Sequence, residues 1–159
     1  MNRGSTVFLR VVISLIGIGA LALCIFVLPG IASRDAAANP DTAYYQYPFL
    51  ISAYILFIPF FIALFQAYKL LSYLDKNIAF SEYSVKALKN IKNCAIIICS
   101  IIVLGMLFVA FVMEGDRAGV IMLGLILSIA SSIIITIAAI LQKHVQNAVE
   151  IKSEIDLTV

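Results

Sequence analysis

The chain has 159 residues, of which 63% are hydrophobic and 13% are charged, with a formal net charge of +2. A soluble domain of this size needs a polar exterior, and so few polar residues cannot supply one. The composition therefore excludes a water-soluble globular protein and predicts an integral membrane protein.

Four long apolar runs occupy most of the chain, at residues 7–28, 49–71, 94–113 and 118–141. Each reaches the length of about 20 helical residues that crosses a hydrocarbon core of about 30 Å. The predicted fold is all-α, with four transmembrane helices in an antiparallel bundle. We expect a single membrane domain over 1–159, with a loop at 72–93 and a tail at 142–159.

The basic residues are distributed unevenly between the two ends of such a bundle. Of the 11 lysines and arginines, only Arg34 and Arg117 fall at the end opposite the termini. Because basic residues are retained on the cytoplasmic side, this asymmetry predicts a bacterial inner-membrane protein with both termini in the cytoplasm. The first run exceeds the apolar core of a signal peptide, about 7–15 residues, which favours a retained span.

Proline and glycine punctuate the first two runs. Pro29 and Gly30 follow the first run and are expected to end its helix, because proline supplies no amide donor and glycine tolerates a turn. Pro59 lies near the centre of the second run, where we expect a kink. Gln66 is an amide inside that run, and we expect it to face another helix or a solute path rather than lipid.

The fourth run contains small or hydroxyl residues at every fourth position: Gly124, Ser128, Ser132 and Thr136. Residues four apart share one side of a helix, so another helix can approach closely along this strip. The strip therefore predicts helix packing, with a polar conduit as the less favoured interpretation.

The segment between the second and third runs is predicted to contain a turn near residues 75–79 and a helix that restarts near Ser81. Serine can cap the first turn of that helix with its side chain. Three lysines follow on the polar side of an amphipathic stretch: Lys86, Lys89 and Lys92. They suit anionic lipid headgroups or, alternatively, a protein partner.

The chain ends in a segment that combines acids with regularly placed aliphatic residues. Its candidate contact residues are Glu150, Glu154, Asp156, Leu157, Thr158 and Val159. Together with the four-span layout, residues 79–82 (Ala-Phe-Ser-Glu) and 88–91 (Leu-Lys-Asn-Ile), this ending resembles a bacterial family of small four-helix membrane proteins, known as a domain of unknown function. The resemblance implies an inner-membrane location and a gene neighbour that encodes a small helix-turn-helix regulator.

No residue pattern in the chain points to catalysis, a metal site or a cofactor. The three cysteines cannot all meet across the bundle, and His144, the only histidine, has no carboxylate at ligand spacing. We therefore expect a non-enzyme without cofactors.

The favoured function is a membrane-embedded sensor or regulatory partner that acts by protein interaction. Its expected partners are the lipid bilayer and a cytosolic helix-turn-helix regulator or another membrane protein, without direct contact to nucleic acid; a homo-oligomer is open. In a concrete version, tail acids pair with the lysines at 86–92 until a partner displaces one of them. The alternative is a small transporter, a channel, or an efflux or immunity accessory protein.

Overall fold

The computed structural model describes residues 3–38, 40–41, 46–112 and 118–158. These residues form four long helical rods connected by short segments, and no strand occurs among them. All four rods are long and apolar enough to cross a membrane. The all-α prediction with four spans is confirmed.

The first rod runs without a break from Arg3 to Ala38. It consists of α1 (Arg3–Ala22), one wide turn of π-helix (Leu23–Val27) and α2 (Leu28–Ala38). The prediction that Pro29 and Gly30 end this helix is wrong. Proline removes one backbone donor, but the π turn absorbs the disturbance and the helix continues.

The second rod, α3 (Gln46–Asp75), contains Pro59 within a continuous helix. Its end has the hydrogen bonds of a Schellman motif. Asn77 adopts the left-handed conformation with a φ of 59°, and the Ile78 N–H donates to the Tyr73 carbonyl oxygen at 2.9 Å. The chain can therefore reverse within a few residues.

The third rod, α4 (Glu82–Val112), begins directly after Ser81. The expected side-chain cap is replaced by a different arrangement. The Ser81 carbonyl oxygen accepts the N–H groups of Ser84 and Val85, and the Ser81 hydroxyl donates backwards to the Ile78 carbonyl oxygen at 2.7 Å. The turn and the start of α4 are thereby joined into one compact unit.

The fourth rod, α5 (Ala118–Thr158), is the longest and packs on α4. The residues that it turns inwards recur at alternating steps of three and four. They are Ile121, Gly124, Ser128, Ser131, Ile135, Ala138, Gln142, Val145 and Val149. This average repeat of 3.5 is typical of coiled-coil packing.

The helices pack mainly against their neighbours in sequence. α4 packs against both α3 and α5, and α3 also packs against the first rod. Several of the most deeply buried residues lie at the end that carries both termini, hereafter the terminal end: Thr6, Leu71, Ser84, Ala87 and Leu88.

Candidate functional site

A polar cluster joins the first and second rods at the terminal end. Arg10 Nη2 lies 2.9 Å from Asp75 Oδ2 and donates to Ser72 Oγ at 3.2 Å. The guanidinium also lies over the Tyr68 ring, 5.3 Å from its centroid. Within the part of the chain that the structure describes, this is the one ion pair shown. It ties the start of α1 to the end of α3.

The pairing of Arg10 with Asp75 is not predicted by the sequence pattern. A signal was present, because Arg10 lies inside the first apolar run and Asp75 follows shortly after the end of the second. A charge within an apolar run usually finds a partner on an adjacent helix near the same membrane face. That rule identifies the arginine, but only packing identifies its acid.

The lysines predicted as contact residues lie near the start of α4, and this part of the helix is firmly packed. Ser84 is fully buried, and the Tyr73 and Tyr83 rings lie with their centroids 5.9 Å apart across the turn. Lys86 and Lys89 are exposed, whereas Lys92 is half-buried. These contacts fix the start of α4, and the two exposed lysines lie on one face of it.

The predicted tail continues α5 as helix up to Thr158. From Glu150 onwards every described residue is exposed, including Glu154, Asp156 and Leu157. The Thr158 hydroxyl donates to the Ile155 carbonyl oxygen of its own helix at 2.9 Å. Val159 lies outside the described residues, as does Arg117. From Glu150 to Thr158 the tail therefore forms an exposed helix.

The structure does not bring the tail acids to the lysines of α4. No ion pair between them occurs among the described residues. All described residues of the tail from Glu150 onwards are exposed, so no other part of the described chain covers them. The expected pairing of Lys86, Lys89 and Lys92 with the tail acids is therefore not seen in the described residues.

The predicted intramembrane residues are divided between two helices. Pro59 is buried and Gln66 half-buried, both on α3, while the hydroxyl strip belongs to α5. α4 packs against both of these helices, so Gln66 and the hydroxyl strip lie on the two helices that flank α4.

The strip on α5 itself divides. Gly124 is packed so tightly against α4 that an added Cβ would lie 2.5 Å from Met106 Cγ. Ser128 is half-buried, and Ser132 and Thr136 are exposed. The Ser132 hydroxyl donates to the Ser128 carbonyl oxygen at 2.8 Å, and the Thr136 hydroxyl donates to the Ser132 carbonyl oxygen at 2.9 Å.

These hydroxyls line a shallow, open groove on one face of α5, together with aliphatic side chains such as Ile129 and Ile133. Ser132 and Thr136, which form the second half of the predicted packing strip, therefore face outwards. Its hydroxyls satisfy their own helix instead of a neighbouring one.

No group of three His, Cys, Asp or Glu side chains that could hold a metal ion is found in the described ranges. Cys24 lies on the first rod, and Cys94 and Cys99 lie on α4.

Two comparisons with known proteins give findings. The sequence profile described as "Protein of unknown function (DUF2975)" matches residues 30–159. The chain is 50% identical over 160 residues to the "Uncharacterized membrane protein YoaS" of Bacillus subtilis (strain 168), with 100% of both chains covered. No solved structure matches the chain. Neither matching description carries an enzymatic activity. The chain is thus a membrane protein and belongs to the DUF2975 family.

Proposed function

We propose that this protein is a bacterial inner-membrane protein that works by protein interaction, without catalysis, and that its terminal end binds a cytosolic regulator. The observation that carries the proposal is the helical extension of α5. Residues 150–158 are helical and exposed along their whole length.

The orientation follows from charge. Arg10, Lys69, Lys86 and Lys89 lie at the terminal end, whereas Arg34 lies near the other end of the first rod. Positive residues are retained in the cytoplasm during insertion. The terminal end, with both termini, therefore faces the cytosol, where a soluble partner can reach it.

The extension presents apolar side chains to water. Ile151 and Ile155 are each 57% exposed, and Leu157 is 84% exposed. Nine helical residues reach about 13 Å beyond the last half-buried residue of α5, Val149. Lipid covers exposed aliphatic residues within the spans, but it cannot cover those that extend into the cytosol. A protein surface can.

The chemistry of the extension describes its partner. Ile151 and Ile155 are one turn apart and share a face, and Glu150 and Glu154 flank that face on one side. A helix of this kind docks in an apolar groove of its partner through apolar side chains spaced three or four residues apart. The acids favour a groove with a basic rim. A small helix-turn-helix regulator, which the family resemblance implies as a gene neighbour, is a partner of this class, because DNA-binding proteins are rich in basic residues.

The test is a pull-down of that regulator with the full-length protein in native-like membranes. Ile151→Ser combined with Ile155→Ser removes both anchors, and we expect the retained regulator to fall about tenfold, as for the loss of about 1.4 kcal/mol of binding. Deleting residues 157–159 should also weaken retention.

Phe80→Ser is the matched control, because Phe80 is 62% exposed in the turn at the same end of the molecule. It removes a comparable apolar surface without touching α5 and should leave retention unchanged. Equal retention by the wild type and the tail variants would remove α5 from the proposal.

The open hydroxyl groove favours one alternative, a transport or channel role. The groove lined by Ser128, Ser132 and Thr136 could form one wall of a passage if a second copy supplied the other wall. Solute flux in proteoliposomes that Thr136→Val or Gln66→Leu abolishes would support this function. The absence of ionisable groups among these residues argues against proton-coupled transport.

A further inference from the structure

The π turn of the first rod leaves one backbone carbonyl oxygen without a hydrogen-bond donor in its own helix. The Leu28 N–H donates to the Leu23 carbonyl oxygen, five residues earlier. The next bond of this ladder would run from residue 29 to the Cys24 carbonyl oxygen, but residue 29 is proline and has no N–H. The ladder therefore stops at Cys24, inside an apolar span.

A side chain from the second rod supplies the missing donor. The Tyr54 hydroxyl on α3 donates to the Cys24 carbonyl oxygen at 3.1 Å. Cys24 itself is buried at this contact. In hydrocarbon, a carbonyl group without a donor is costly, so this hydrogen bond has a larger effect than its equivalent in water.

The partner turn of α3 is also weakened by proline. Pro59 is buried within α3 and cannot donate to the carbonyl oxygen of Ile55, four residues earlier and directly after Tyr54. The Tyr54–Cys24 hydrogen bond thus joins two turns, one in each rod, that each lack a helical donor. Such turns are where helices bend.

α2, the section of the first rod after the π turn, is loosely packed. A Cβ built on Gly30, which follows Pro29 directly, meets nothing within 4 Å beyond its chain neighbours and the backbone of its own helix. In α2, Ile31, Ser33 and Arg34 are exposed, and Ala32 is the buried contact. Few packed side chains oppose a pivot of α2.

We propose that the π turn is a hinge and that the Tyr54 hydroxyl is its latch. With the hydrogen bond made, α2 continues the line of α1 against α3. When water or a polar solute at the outer end of the helices competes for the Cys24 carbonyl oxygen, the bond is lost and α2 pivots away from α3. The hinge and its latch thus convert hydration at the end opposite the terminal end into a change in the angle of α2. This mechanism does not depend on the partner proposed for α5.

Hydrogen exchange of the full-length protein in lipid nanodiscs, read by mass spectrometry, tests the latch. Tyr54→Phe removes the hydroxyl and keeps the ring. We expect amides within residues 25–33 to exchange about fivefold faster, the opening that follows from losing one neutral hydrogen bond. Tyr68→Phe, on the same helix at the terminal end, is the control and should leave this segment unchanged.

A second variant separates the latch from general loosening. Pro29→Ala restores the N–H at residue 29, so the Cys24 carbonyl oxygen regains a donor in its own helix. In that background Tyr54→Phe should have no further effect on residues 25–33. Unchanged exchange in Tyr54→Phe, an equal increase in all four rods, or a full effect of Tyr54→Phe in the Pro29→Ala background would each overturn the proposal.

Discussion

The Arg10 guanidinium lies 2.9 Å from the Asp75 carboxylate and connects the start of the first rod to the end of the second. The two side chains are 31% and 30% exposed, so water reaches the pair only partly. The contact is reinforced by Ser72 and by the Tyr68 ring on the same helix as Asp75. It fixes the relative position of two helices whose apolar faces could otherwise slide along each other.

This relationship predicts the effect of neutralising the pair. Arg10→Gln and Asp75→Asn should each lower the free energy of unfolding by about 1 kcal/mol, near the upper end for partly exposed pairs. Because both changes break the same contact, the double variant should lose less than the two single losses combined. Thermal unfolding in a mild detergent measures these differences. Arg34→Gln, at an exposed site near the opposite end, serves as the control, and additive losses would show that the pair is not coupled.

The close approach of α5 to α4 predicts a cost for a single added methyl group at Gly124. Gly124→Ala places a Cβ 2.5 Å from Met106 Cγ, so the Met106 side chain or one of the helices must shift. We expect a loss of about 1–3 kcal/mol, typical of overpacking. Met106→Ala should restore much of the stability when it is combined with Gly124→Ala.

Gly105→Ala is the matched control, since Gly105 precedes Met106 and has nothing within 4 Å of an added Cβ. It should be neutral or slightly stabilising, because alanine favours a helix. If Gly124→Ala proved as mild as Gly105→Ala, the helices would not meet at this residue.

Two neighbouring serines on α5 should differ in their response to the same substitution. Ser131 is 8% exposed in the seam with α4, whereas Ser132 is exposed in the groove. Ser131→Leu should destabilise the protein by about 1–3 kcal/mol through overpacking. Ser132→Leu should be nearly neutral in a detergent-solubilised monomer. Unfolding by denaturing detergent compares the stability of the two variants. Equal losses would contradict the placement of Ser131 in the interface with α4.

The charge distribution predicts the location of both termini. An alkaline phosphatase fused after residue 159 should be inactive in a bacterial host, and a green fluorescent protein at the same position should fluoresce. Fusions at residue 41, beyond the end of the first rod, should give the reverse pattern. The opposite result at both positions would invert the orientation and remove the proposed cytosolic partner.

The spans were predictable because hydrophobicity and length are properties of the sequence alone. Local rules were less reliable where neighbours intervene. Pro29 and Gly30 predict a helix end, but the π turn and the Tyr54 hydroxyl compensate for the missing amide, and neither is visible from the first run. A donor from a distant part of the chain cannot be inferred from the residues beside a proline.

The strip on α5 shows a second limit. A repeat of four residues turns by about 40° per step around a helix of 3.6 residues per turn, whereas a packing seam recurs every 3.5. Gly124 and Thr136 are three such steps apart, so Thr136 lies about 120° away from Gly124. Gly124 therefore lies against Met106 of α4, whereas Thr136 is exposed on a different face of α5.

The sequence by itself determined the membrane class, the four spans and the concentration of basic residues at one end. Hydrophobic transfer energies and charge retention act on each segment separately, so they can be read residue by residue. Only the tertiary structure decided which acid pairs with Arg10, which hydroxyls on α5 face outwards and which donor satisfies the Cys24 carbonyl oxygen. Each of these depends on the rotation and height of one helix relative to another, and those are set by the packing of the whole molecule.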